Sequence, residues 1–164
     1  MLNFRQAEHP DIAILRVLAE KIWRACYPPI IGMAQVEYML EMMYAEEVIR
    51  RELDDGVRWE LALDAGTPVG FLSISAEHDA RAKLNKLYLV PELHGTGRGQ
   101  QLIRRSLEVA ASLGARELWL QVNKRNERAI HAYTRAGFRV DREAVFKIGN
   151  GFVMDDFIMC RVVP

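Results

Sequence analysis

Cysteine is scarce in this chain of 164 residues, with only Cys26 and Cys160, far apart and without the spacing of metal ligands. Two such residues make neither a disulfide framework nor a zinc site, so no metal and a reduced, cytoplasmic setting are expected. No apolar run approaches the roughly 20 residues that cross a bilayer, and Met1–Gln6 lacks the apolar stretch of a signal peptide. No membrane partner is expected. Excess charge is missing too, since 22 basic side chains balance 22 acidic ones. Duplex-binding domains usually carry a basic excess, so nucleic acid is not an expected partner either. There is no internal repeat, low-complexity tract or linker. Residues 1–164 therefore read as one domain, half apolar and about a quarter charged, long enough to bury a real core.

Periodicity supplies the elements. Leu2, Phe4 and Ala7 alternate with polar residues and predict a short strand. Leu15, Leu18, Ala19, Ile22, Trp23 and Cys26 recur at helical spacing, and Pro28-Pro29 stops that helix. A second helical region spans about Met33 to Leu53, with a break near Tyr44, and Gly56 caps it. The period then changes. Trp59, Leu61 and Leu63 alternate with Glu60 and Ala62, Asp64–Thr67 is a turn, and Val69–Ile74 returns as a hairpin. Further strands are expected at Lys83–Val90, at Leu118–Val122 (buried on both faces), and near Phe138–Val145 and Phe152–Val162, the last two joined by Gly149-Asn150-Gly151. Helices are expected at Arg98–Leu113 and Asn126–Ala136. Strands separated by single helices must run parallel or skip a neighbour. The fold class is therefore α/β: a mixed sheet of about seven strands with helices on both faces.

The segment from Leu84 to Leu102 carries the functional argument. A strand feeds the glycine-rich turn His94-Gly95-Thr96-Gly97-Arg98-Gly99, and the turn opens a helix. Unpartnered N–H groups and the helix dipole favour an anion at such a start. Glycines at 95, 97 and 99 clear side chains from those N–H groups and permit positive φ. Arg98, Arg104 and Arg105 add positive charge. A nucleotide triphosphate loop is excluded, because no Lys-Ser or Lys-Thr follows. A dinucleotide fingerprint is excluded too, because position 100 is Gln100 rather than glycine. The bland alternative is a turn with no ligand.

The stretch Leu87 to Leu102 resembles the central Gln/Arg-x-x-Gly-x-Gly/Ala motif of GNAT-superfamily acetyltransferases, with His94 at the usual Gln/Arg position. Asn126-x-x-Ala129-x-x-x-Tyr133-x-x-x-Gly137-Phe138 resembles that family's downstream motif, and the element order is similar over most of the chain. The resemblance implies an N-acetyltransferase domain over residues 1–164 with acetyl-coenzyme A as cosubstrate. It implies main-chain groups of Leu87 and Leu89 along the pantetheine arm and a diphosphate on the loop His94, Gly95, Thr96, Gly97, Arg98, Gly99 and Gln100. It also implies Asn126 hydrogen-bonded to the coenzyme and Tyr133 near its sulfur.

Transfer to an amine needs a neutral amine, a polarised thioester carbonyl and a proton for the thiolate. Direct attack gains from holding both substrates in line. Tyr133 is the expected general acid, against the bland reading of a core aromatic. Relatives place a carboxylate at the start of the strand before the loop, where this chain has Lys83, Leu84 and Asn85. One of Glu77, His78 and Asp79, Glu77 first, is the expected base through water, against a solvated loop with solvent itself taking the proton. Cys26 and Cys160 are expected to pack in the core. Lys124, Arg125 and Arg128 are candidates for the ribose phosphate, or a solvated face. Glu37, Glu41, Glu46, Glu47, Asp155 and Asp156 suggest a small cationic amine as acceptor, or a plain charged surface, and the ending Met154–Met159 with the strand Leu84–Leu89 resembles bacterial polyamine acetyltransferases, which implies a polyamine. Peptide amino termini, amino acids, aminoglycosides, and a coenzyme-binding sensor without turnover, are the alternatives, and a homodimer is left open.

Overall fold

Leu15, Leu18, Ala19, Ile22 and Trp23 recur every three or four residues, and in the computed structural model, which describes residues 1–164, they form the buried stripe of helix α1 (Ile12–Cys26). Pro28-Pro29 ends α1 but does not leave the helical region, because proline suits the first turn of a helix. The two prolines open the single turn α2 (Pro28–Ile31). The expected long helical region is two helices, α3 (Met33–Tyr44) and α4 (Glu46–Asp54), broken where Ala45 turns extended. The other two are α5 (Arg98–Ser112) and α6 (Glu127–Arg135).

The strands are β1 (Asn3–Gln6), β2 (Arg58–Asp64), β3 (Thr67–Ala76), β4 (Arg81–Leu89), β5 (Glu117–Asn123), β6 (Arg139–Gly149) and β7 (Phe152–Val162). They form one seven-stranded sheet in the order β1-β2-β3-β4-β5-β7-β6. Only β4 and β5 pair in parallel. The last hairpin inserts β7 beside β5, so β6 skips a neighbour.

Each face of the sheet has its own core. Leu102, Ile103 and Leu107 of α5, with Tyr133 and Phe138, pack on Leu72, Ile74, Leu84, Leu118 and Leu120. On the other face α1, α3 and α4 pack Leu15, Trp23, Val36 and Ile49 against Trp59, Leu61 and Phe71. Two expectations about faces need correction. In β2 the run Trp59–Ala62 is buried throughout, Glu60 included, because helices cover both sides of that strand. In β5 burial alternates. Leu118, Leu120 and Val122 are buried, while Trp119 and Gln121 turn toward a partly open face.

Candidate active site

β4 and β5 pair at only four positions, from Arg81↔Glu117 to Leu84↔Leu120. Both continue beyond that point, β4 to Leu89 and β5 to Asn123, so they part and leave a slot between them. The β3–β4 register steps from Ser73↔Lys86 to Ile74↔Leu84, which makes Asn85 the extra residue of a bulge. A bulge re-aims the side chains beyond it. Leu84 and Leu87 thus share one face, while Lys83, Lys86 and Tyr88 turn toward α1, α3 and α4.

The Val90 N–H donates to the Val69 carbonyl at 2.9 Å. Main-chain direction alternates along an antiparallel pair, so Tyr88 and Lys86 also face β3, whereas Leu87 and Leu89 aim their N–H and C=O groups into the slot. The pair expected along the pantetheine arm is therefore the pair so aimed. One of those four groups is committed, since His94 Nε2 lies 2.9 Å from the Leu89 carbonyl. His94 braces the strand end rather than reaching outward.

Two cavities meet across the slot. One, of about 160 Å³, runs from the glycine loop past Ile22, Cys26 and Leu89. The other, of about 320 Å³, opens on the α1–α3 side beside Gln35, Lys83, Lys86, Gln121 and Asp156. Tyr27, Leu87, Tyr88, Asn126, Ala129 and Tyr133 line both.

On the loop side, Gly95 and Gly97 have φ of +76° and +81°, conformations that favour glycine. Gly97 caps α5 without a side-chain hydrogen bond. The N–H groups of Gly95, Gly97, Arg98, Gly99 and Gln100 find no backbone acceptor, whereas Thr96 donates to Leu93. A cluster of open donors at the start of a 15-residue helix is what a diphosphate requires. Arg98 holds Asp64 at 3.0 Å and keeps a buried, unpartnered Nε. The Gln100 side chain donates to the Ala132 carbonyl at 3.0 Å, tying α5 to α6. Arg105 is spent elsewhere, on Glu60 and Glu108. Lys124 pairs with Asp155 and Glu143, and Arg125 donates to the Ile30 and Pro29 carbonyls, while Arg128 remains on the slot wall.

At the junction, the Tyr133 ring meets Phe138 edge-on at 5.6 Å, and burial pushes its phenol well above the usual tyrosine range. The buried Asn126 caps α6: its side chain accepts from the Ala129 N–H at 3.3 Å and its Nδ2 donates to the Tyr27 hydroxyl at 3.4 Å. Tyr27 stacks on Trp23 at 4.2 Å, and burial pushes its phenol up to about 12. Cys26 is half-buried, packed against the α1-side core and also lining the slot wall, whereas Cys160 is buried in β7.

The expected base is displaced. Glu77 is exposed beyond the end of β3, outside both cavities, and its Oε2 accepts from Trp119 Nε1 at 2.8 Å. Asp156 stands in the larger cavity instead, buried and in register with Asn123 of β5. Desolvation pushes its carboxyl up to about 6; Asp155 adds to the rise, while Gln121, Lys83 and Lys124 oppose it. One sequence signal pointed there. Adjacent strand residues face opposite sides, so one of Asp155 and Asp156 had to turn inward. The other carboxylates that suggested a cationic acceptor lie on the helix surface, Glu37 beside Arg24 and Glu46 beside Arg50, with Glu41 and Glu47 exposed.

Comparison with known proteins finds relatives across most of the chain. The model of the acetyltransferase (GNAT) family matches residues 18–138. An uncharacterised N-acetyltransferase of Mycobacterium tuberculosis is 30% identical over 152 residues, covering 92% of this chain and 97% of the relative. A peptidyl-lysine N-acetyltransferase of Salmonella typhimurium is 26% identical over 159 residues, covering 96% and 98%. Among solved structures, the PaiA N-acetyltransferase of Thermoplasma acidophilum, crystallised with coenzyme A, superposes with a TM-score of 0.83 at 23% identity, covering 99% of each chain.

Proposed function

Because the chain belongs to the acetyltransferase (GNAT) family, we propose that it moves an acetyl group from acetyl-coenzyme A to a primary amine by direct attack, at the junction of its two cavities. The chain is an acyltransferase of the acetyl-coenzyme A-dependent kind. The observation that carries the reading is the slot itself. A donor-rich loop opens one side, a second cavity opens the other, and Tyr133 borders both.

Acetyl-coenzyme A supplies the activated acetyl thioester. The open N–H groups from Gly95 to Gln100 bind its diphosphate, and Leu87 and Leu89 hold the arm as a neighbouring strand would. The free Leu89 N–H is placed to steady negative charge developing on the acyl oxygen. Asp156 takes the proton from the amine. A carboxyl raised to about 6 is ionised at neutral pH yet more basic than an ordinary aspartate. Tyr133 stays protonated at neutral pH, so its hydroxyl hydrogen-bonds the leaving sulfur. A thiol ionises near about 8.5, below this buried phenol, so full proton transfer from Tyr133 runs uphill; the coenzyme leaves as a thiolate that takes its proton from solvent, to which Asp156 returns the proton of the amine.

The test is to incubate the protein with acetyl-coenzyme A and a pooled set of primary amines and follow free thiol. Amine-dependent thiol release is expected, with loss of coenzyme affinity in Gly97→Val, where positive φ strains any β-branched residue. Thiol release that ignores the amine, or unchanged affinity in Gly97→Val, overturns the assignment. Binding without turnover selects the sensor alternative.

A further inference from the structure

The charged lining of the larger cavity consists of Glu52, Lys83, Lys86 and Asp156. Two of the four satisfy each other. Lys86 lies 3.5 Å from Glu52 and over the Trp59 ring at 4.9 Å, and Glu52 also accepts from Trp59 Nε1 at 3.0 Å. The other two do not. Lys83 rests over the Trp119 ring at 4.8 Å and makes no ion pair or hydrogen bond, and Asp156 has only a long contact of 3.5 Å from Gln121. Their backbones stand at different levels of the cavity wall. Lys83 is in register with Trp119, where β4 and β5 still pair, and Asp156 with Asn123, at the open end of the slot. Four strand residues separate those two levels, about 13 Å of backbone before the side chains reach inward.

We propose that the acceptor is a small zwitterion, a primary amine carrying a carboxylate several bonds away, with the amine at Asp156 and the carboxylate on Lys83. This rests on the transfer reading above and names its substrate class. A polyamine would bring two or more cations to a wall that already holds two ammonium groups and offers one uncommitted carboxylate. An amine with its own anion satisfies both free charges at once. The half-buried Lys83 ammonium gains from it directly. Desolvation lowers its pKa despite the nearby charges of Glu77 and Asp156, so an incoming carboxylate supplies compensation that these two do not complete. Neutral amides of Asn85, Gln121 and Asn123 line the same cavity.

The experiment compares kcat/KM for 4-aminobutyrate and 6-aminohexanoate with that for alkylamines of matched length and for putrescine, in wild type, Lys83→Met and Lys83→Arg. Wild type is expected to prefer an amino acid over its alkylamine. The preference should fall about 10- to 100-fold in Lys83→Met, the span of one charge-assisted hydrogen bond, mainly through KM. Lys83→Arg should restore most of it. A wild-type preference for putrescine, or a carboxylate preference that survives Lys83→Met, overturns the proposal. Binding of the N-acetylated amino acid to the coenzyme A complex, by calorimetry, supplies a readout independent of turnover. If no amine is acetylated, affinity that still depends on Lys83 supports the anion site and refutes only the transfer reading. Affinity independent of Lys83 refutes the site itself.

Discussion

Glu60 and Asp156 are both buried carboxylates in the same sheet, and the protein treats them in opposite ways. Glu60 lies on the α5 side of β2, fully enclosed, with Arg58 at 2.7 Å and Arg105 at 2.7 and 3.0 Å. Two guanidiniums in forked contact balance its charge, and the Arg105 pKa rises in turn, chiefly through that hydrogen bond. Asp156 lies on the other face, beside a cavity, with no cation in contact. A buried charge without a partner is costly, so its carboxyl holds its proton up to about 6. Compensation makes one carboxylate a structural clasp between β2 and α5. The lack of it leaves the other raised and open to the cavity, where the proposed transfer would need a base.

The largest effect expected is on stability at the clasp. Glu60→Gln removes one partner from a buried pair and leaves two arginines facing a neutral amide. The cost should be about 3 kcal/mol, at the low end for such a break. It stays low because the Arg58 and Arg105 side chains keep 30% and 29% exposure and can rehydrate. For a chain of this size that is a fall of roughly 6–12 °C in Tm, read by thermal melting. Turnover per folded molecule should stay near wild type. A collapse of turnover in folded Glu60→Gln would erase the contrast between the two sites.

Asp156→Asn should do the reverse. kcat/KM is expected to fall by about 100-fold, within the range for loss of a general base. Tm should rise. The carboxyl pKa is higher in the folded chain than in the unfolded one, so the native state binds the proton more tightly. Stability therefore falls as pH climbs through the window from about 4 to about 6, and at neutral pH the ionised group is a net cost. Asparagine lifts a penalty on the order of 1–3 kcal/mol. A variant that is both active and no more stable would show that Asp156 is an ordinary buried polar group.

The pH dependence sharpens the same point. Wild-type kcat/KM should climb as pH rises through about 6, where Asp156 ionises, and the variant should lack that limb. Charges on Lys83, Lys124 and Asp155 act on the same group, so a shift of this limb in Lys83→Met is also expected. It should move upward, because a cation that lowered the pKa is lost.

Tyr133→Phe is expected to have the smallest effect, roughly 10-fold in kcat at saturating coenzyme, below the usual span for acid–base groups. The phenol is buried and neutral throughout the working range, and it gives a hydrogen bond rather than a proton. The ring contact with Phe138 survives in phenylalanine, so Tm and coenzyme affinity should hold. Unchanged kcat would assign Tyr133 to the core alone.

Much of the molecule was decided locally, and the sequence by itself determined that much. Helical spacing from Leu15 to Trp23, the break at Tyr44, the hairpin turns and the glycine loop all follow from side-chain period and backbone φ, which need no distant partner. Asn126 and Tyr133 were legible only through the resemblance of their motif to the family's, and one short helix with its cap carries both to the slot. The proposed base and acceptor wall were not. Glu77 lies only six residues from Lys83 in sequence, yet it ends outside the cavity, while Asp156, from the far end of the chain, ends inside it. That exchange depends on β7 inserting between β5 and β6, and on the bulge at Asn85 turning Lys86 and Tyr88 to the α1 side. Strand order and register set which side chains share an enclosed space, and enclosure sets the pKa of a carboxyl. Only the assembled sheet could distinguish Glu60, clasped by two arginines, from Asp156, raised by burial with no cation in contact.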